Sequence, residues 1–363
     1  MAENAAEKHD ALMRTEELKN KALKWHSPKT PPFRVAGLAW FATDGAYRRM
    51  PQRPKRALPA AVDELANHPA GAQIGFRSDS AHVSIRVKLA APADMDHMPA
   101  TGQCGFDLYV GPPGDAHYFG TTRYDLKQKS YECPLFAMAE GTLRNFTLNF
   151  PLYQGVEEVG VGLDAGSQIL SPPPFALGRP VVAYGTSITQ GGCAARPGMA
   201  WTNILSRRLN VEFINLGFSG SGKGEPEVAE TISDIANPAC FILDYEANVD
   251  GIELLRERFP EFIRILRQRH PKVPILAVSV TPFAADRTIE SALQSRIERR
   301  EFQRGVIGEL RRRGDKHLFF QDGGELMEED FEECTVDGVH PTDLGFMRIA
   351  NALTPVVRGI LGL

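Results

Sequence analysis

The 363-residue chain has no run of about 18 apolar residues, which argues against a membrane-spanning helix. Its first twenty residues are charged and have no signal-peptide apolar core, so a cytoplasmic protein is expected, barring a leader already removed. The five cysteines (Cys104, Cys133, Cys193, Cys240 and Cys334) include no C-x-x-C pair. Their number is odd and the chain is too long to need staples, so reduced thiols are expected. There is no basic excess: the net charge of −4 offers no field for nucleic acid. No internal repeat is visible. No His/Cys cluster with metal-ligand spacing occurs; His97 in ADMDHMP has carboxylates beside it but is a lone histidine, read as a loop or packed residue.

Two local grammars are present. Residues 1–32 read as a helical arm ending in a Pro-rich stretch. Over 33–174, short alternating runs such as AQIGFRSDS, HVSIRVKL, GFDLYVG, RNFTLNF and EEVGVGLD are separated by Gly, Pro and Asp turns. That pattern predicts an all-β sandwich or jelly roll. Pro172-Pro173-Pro174 breaks the chain, since proline can join neither a ladder nor a helix interior. Over 175–363, the apolar runs PVVAYG, EFINLG, CFILDY, PILAVSV and HLFFQD alternate with amphipathic stretches at 199–209, 225–236, 251–270, 287–313 and 343–360. This alternation predicts an α/β doubly wound parallel sheet with helices on both faces. The basic run RIERR reads as a solvated helix face.

Ligands of such sheets bind beyond the C-terminal strand ends. After the first strand comes Gly185-Thr186-Ser187, where Ser187 is either a nucleophile or a turn or cap serine. After the second comes Gly217-Phe218-Ser219-Gly220-Ser221-Gly222-Lys223-Gly224. It has phosphate-loop spacing but Gly224 where Ser or Thr should hold magnesium, so a loop of pocket-facing amides is the better reading. After the third comes Asn248, an amide donor or a turn residue. Before the last helix comes Asp337-Gly338-Val339-His340, in which Asp337 can accept from His340 Nδ1 and leave Nε2 as a base, or the histidine can be a solvated turn residue. Taken together, the four loops supply a nucleophile, a base, its orienter and oxyanion donors, the set needed for acyl transfer.

The blocks YGTSITQGG, NLGFSG, DYEANVD and DGVHP resemble those of the SGNH (GDSL-like) hydrolase superfamily, in order and spacing, across 179–363. The resemblance implies a flavodoxin-like fold with Ser187 as nucleophile, Gly217 and Asn248 in the oxyanion hole, and His340 and Asp337 as base and partner. The first block departs from Gly-Asp-Ser-Leu at Thr186 and Ile188, and the third lacks the usual glycine before its asparagine. Gly105-Phe106-Asp107-Leu108-Tyr109 resembles the GxDLY module, a β-sandwich that precedes the hydrolase domain in a bacterial subgroup. The activity implied is a serine esterase for short, acetyl-like acyl groups, with a small-molecule or carbohydrate ester as substrate and no metal or organic cofactor. An acyltransferase with the same triad, or a carbohydrate-binding protein with an inactive hydrolase domain, are the alternatives. Arg196 is read as either a substrate contact or a loop cap, and Tyr47–Pro51 as a segment that reaches the site from the sandwich half.

Overall fold

The computed structural model describes residues 8–10 and 23–363. The sandwich half contains ten strands: β1 (Leu23–His26), β2 (Arg34–Ala36), β3 (Gln73–Ser78), β4 (His82–Leu89), β5 (Asp107–Val110), β6 (His117–Thr121), β7 (Ser130–Ala137), β8 (Arg144–Asn149), β9 (Val156–Asp164) and β10 (Ile169–Leu170). They form two antiparallel sheets, β1-β9-β4-β7 and β10-β3-β8-β5-β6, with β2 added beside β3. Alternating inward residues, among them Val83, Ile85, Val87, Phe76, Phe146 and Leu148, make one shared core.

Most of the expected N-terminal arm (1–7 and 11–22) lies outside the described residues. Its end is not helical: Leu23–His26 is a strand paired antiparallel with β9, Leu23 opposite Asp164. Trp25 covers the side-chain gap at Gly162, where a Cβ would come within 2.9 Å of its ring, and Arg86 stacks on the same ring at 4.2 Å. That packing outweighs local helix composition.

The second half has a five-stranded parallel sheet of β11 (Val181–Gly185), β12 (Phe213–Gly217), β13 (Cys240–Asp244), β14 (Ile275–Val278) and β15 (Leu318–Gln321), in the order β12-β11-β13-β14-β15. Helices Trp201–Leu209 and Asp343–Leu361 pack together. Their apolar residues join one core, and Pro226–Ser233 and Gly251–Arg269 join a separate core. The order of strands across the sheet reverses at β11, and the register puts Gly185 beside both Gly217 and Asp244. Three functional loops therefore leave the sheet at one level, at its topological switch point. Among the described residues no helix is long and apolar enough to cross a membrane.

Candidate active site

Ser187 opens a one-turn helix, Ser187–Gln190, directly after β11. Thr186 is its N-cap, with Oγ1 accepting from the Ile188 amide at 3.2 Å. An acidic residue at this position would cap the helix in the same way, so threonine keeps the turn's geometry. Two glycines let the turn sit flush on the sheet. A Cβ on Gly185 would lie 2.1 Å from Thr189 Oγ1, and one on Gly217 would lie 2.1 Å from the Gln190 amide nitrogen.

The fold brings Ser187, His340 and Asp337 together. Ser187 Oγ lies 2.9 Å from His340 Nε2, and His340 Nδ1 lies 2.6 Å from Asp337 Oδ2. The other Asp337 oxygen accepts from the backbone amides of His340 (2.8 Å) and Val339 (3.0 Å). Partial burial pushes the Asp337 carboxyl up. The hydrogen bonds from the His340 amide and ring and the Val339 amide outweigh it and hold the group below the usual carboxylate range. A charged orienter fixes the imidazole tautomer with Nε2 free to accept from the serine.

The expected oxyanion donors divide. The Ser187 amide, at the first position of its helix, has no intrahelical partner. The Asn248 side-chain amide donates to the Phe218 carbonyl at 3.1 Å, which leaves its second hydrogen for a ligand. The Gly217 amide is not available, because it donates to Asn215 Oδ1 at 2.9 Å. Gly217 is needed for its missing side chain instead. The exposed amide that can serve in this loop is Gly220, in the left-handed conformation at φ 64° and with no protein partner among the described residues. Lys223, the last residue of the phosphate-loop-like spacing, pairs with Asp250 at 2.8 Å.

Of the supporting residues, Asn215 and Tyr153 were not expected, whereas Arg49 lies in the Tyr47–Pro51 segment expected to reach the site. Asn215, fully buried, also donates to the Thr189 carbonyl (2.6 Å) and Thr202 Oγ1 (3.0 Å), and so ties β12 to the nucleophile turn. The sandwich half contributes two more. Tyr153 donates its hydroxyl to the Ser187 carbonyl at 3.2 Å. Arg49, from the Tyr47–Pro51 segment, is fully buried; its guanidinium donates to the carbonyls of Gly217, Asn215 and Leu65 and stacks on Phe218 at 4.6 Å. Burial pulls that guanidinium down to about 9.

Asp107 and Tyr109 clamp the loop after the nucleophile turn. Buried Asp107 accepts from Arg196 (2.9 Å), the Gly198 amide (2.8 Å) and Asn149 (2.7 Å), and Tyr109 accepts from Arg196 at 2.5 Å. Arg196 is therefore held as a loop anchor. Buried Cys193 sits in the same loop, its thiol pushed up to about 12 by burial and by Asp337. The five cysteines are free thiols.

A parallel α/β sheet with a serine, histidine and aspartate joined at its C-terminal edge is the architecture of an SGNH-type ester hydrolase. Residues 178–358 match the GDSL-like lipase/acylhydrolase family, and residues 23–169 match the GxDLY N-terminal module of SGNH-hydrolase-type esterases. The chain belongs to the SGNH hydrolase superfamily, in the subgroup that carries this module. A candidate GDSL-like lipase from Bacteroides ovatus is similar at 29% identity, covering 94% of this chain and 98% of that one, with a TM-score of 0.86. A salicylyl-acyltransferase from a tetracycline biosynthetic pathway shares the fold at 22% identity (95% and 99% covered, TM-score 0.75). A family two carbohydrate esterase from Cellvibrio japonicus shares it at 14% (94% and 98% covered, TM-score 0.57). No curated protein gave a significant match.

Proposed function

We propose that the protein hydrolyses a short-chain acyl ester, acetyl being the type case, on a small molecule or carbohydrate. The reading rests on the continuous Ser187–His340–Asp337 hydrogen-bond chain. His340 Nε2 takes the proton of Ser187 Oγ as the oxygen attacks the ester carbonyl. The oxyanion is met by the amides of Ser187 and Gly220 and the Asn248 side chain. His340 returns the proton to the departing alkoxide, and water then releases the acyl group from Ser187. The short acyl group is the part of the reading that draws on the resemblance of the sequence blocks to the superfamily. The carbohydrate half of the reading draws on the fold shared with a carbohydrate esterase.

The fold shared with an acyltransferase across both halves supports a second reading, in which another hydroxyl replaces water at deacylation. Hydrolysis of p-nitrophenyl acetate, butyrate and octanoate by wild type and Ser187→Ala tests the first. Activity on the short esters that Ser187→Ala loses is the expected result. Equal activity in both proteins would mean another nucleophile, and activity in neither would turn the search to acyl acceptors.

A further inference from the structure

His97 comes from the loop between β4 and β5 of the sandwich half, and Cys193 from the loop after the nucleophile turn, at φ 74°. A ring nitrogen of His97, Cys193 Sγ and a ring nitrogen of His340 all lie within 4.8 Å of one another. The two rings are 6.0 Å apart, centre to centre, and meet edge to face at 65°. A tetrahedral zinc ion with bonds of about 2.0–2.3 Å would space such ligands roughly 3.3–3.6 Å apart, a rotamer adjustment away from this arrangement.

Each ring has a carboxylate at its Nδ1. Asp96 Oδ1 lies 3.1 Å from His97 Nδ1, and Asp337 Oδ2 lies 2.6 Å from His340 Nδ1. A carboxylate that holds the Nδ1 hydrogen leaves the Nε2 lone pair for the ion, as in carboxylate–histidine–metal arrangements. Two imidazoles and a thiolate favour a thiophilic divalent ion over magnesium or calcium.

We propose that His97, Cys193 and His340 form an inhibitory site for a thiophilic divalent cation such as zinc. The metal takes the Nε2 lone pair that His340 otherwise offers to Ser187. On binding, Cys193 gives its thiol proton to solvent and forms the metal–sulfur bond. The two nitrogens donate lone pairs, and nothing is oxidised or reduced. His97 belongs to the sandwich half, so the site is complete only when both halves are present. The inhibitory consequence rests on the reading of His340 as the base; the binding does not.

The test uses the full, chelator-stripped chain, with cobalt(II) as a spectroscopic probe and zinc as inhibitor of p-nitrophenyl acetate hydrolysis. His97→Gln and Cys193→Ser are compared with wild type, each against its own metal-free rate and melting temperature. The expected result is a thiolate-to-cobalt charge-transfer band in wild type that both variants lose. Half-inhibition by zinc should move upward at least tenfold in each variant. A folded wild type without the band overturns the site. So does equal zinc sensitivity in all three proteins, because the metal would then rest on His340 alone. Exposed His97 can be changed without disturbing the core, so its variant stands as the control if Cys193→Ser melts early. A chain that cleaves no ester but shows a band lost in both variants upholds the metal site while removing His340's role as base.

Discussion

Gly217 packs against the backbone of the nucleophile turn and Asn248 follows β13, and their substitutions should separate structure from catalysis. Adding a methyl group at Gly217 sets it 2.1 Å from the Gln190 backbone nitrogen, with no flexible side chain to yield. Gly217→Ala should therefore lower stability by roughly 1–3 kcal/mol, the cost of overpacking, read as an earlier urea midpoint. Asn248→Ala removes the hydrogen proposed to meet the oxyanion and should lower kcat by about 10²–10³. Steady-state kinetics with p-nitrophenyl acetate checks the second; a kcat near wild type would remove Asn248 from the oxyanion hole. Ser187, Asp337 and His340, which the structure joins by hydrogen bonds, were readable in the chain because each follows a strand or sits in a short turn. The choice among the glycines of 217–224 was not readable. It depends on where each amide points, and the Asn215 side chain, two residues earlier, turns back to capture the Gly217 amide. A signal for Asn215 did exist, as a polar residue inside the apolar run EFINLG.

At the scale of elements, β5 of the sandwich and the 193–198 loop of the hydrolase half act as one clamp. Asp107 is fully buried and Arg196 mostly so, at 19% side-chain exposure. Replacing Asp107 with alanine leaves the Arg196 charge without its carboxylate partner, Tyr109 still accepting from it, and the Gly198 amide without its acceptor. Breaking one side of a buried pair costs about 3–5 kcal/mol, so urea unfolding of Asp107→Ala should show a loss of that order. A loss under 1 kcal/mol would mean the clamp is peripheral. Strands with clean patterns were readable: HVSIRVKL coincides with β4 and RNFTLNF contains β8. β7 was hidden because Pro134 interrupts its pattern, and the structure accommodates that proline at a register shift against Val83 and Ser84. β6 was hidden because His117, Tyr118 and Phe119 are all exposed and show no alternation. Contacts such as Arg49 to Gly217 join positions 168 residues apart. Local pattern carries no trace of such a pairing.

For the whole molecule, the sheet edge that hosts the chemistry also stores protons. Glu246, 2% exposed, accepts from the Val280 amide at 3.0 Å and from Gln303, while its Oε1 has no hydrogen-bond partner among the described residues. Burial raises its carboxyl from 4.5 to about 7, against the pull of those hydrogen bonds and Arg299. Asp244 is likewise raised from 3.8 to about 7 by burial. By surface area, however, Asp244 keeps partial exposure, so water screens its contribution more. Both groups hold protons more tightly folded than unfolded. The stability they contribute is complete below about pH 4 and is lost as the pH rises through about 7, on the order of 3 kcal/mol for Glu246. Glu246→Gln keeps the shape, cannot titrate, and places an N–H where Oε1 lacks a partner. Plotted against pH, the unfolding free energy of wild type minus that of Glu246→Gln cancels the other titrating groups. That difference should fall steadily between pH 4 and 8, and a flat difference would show that Glu246 is already ionised in the folded chain.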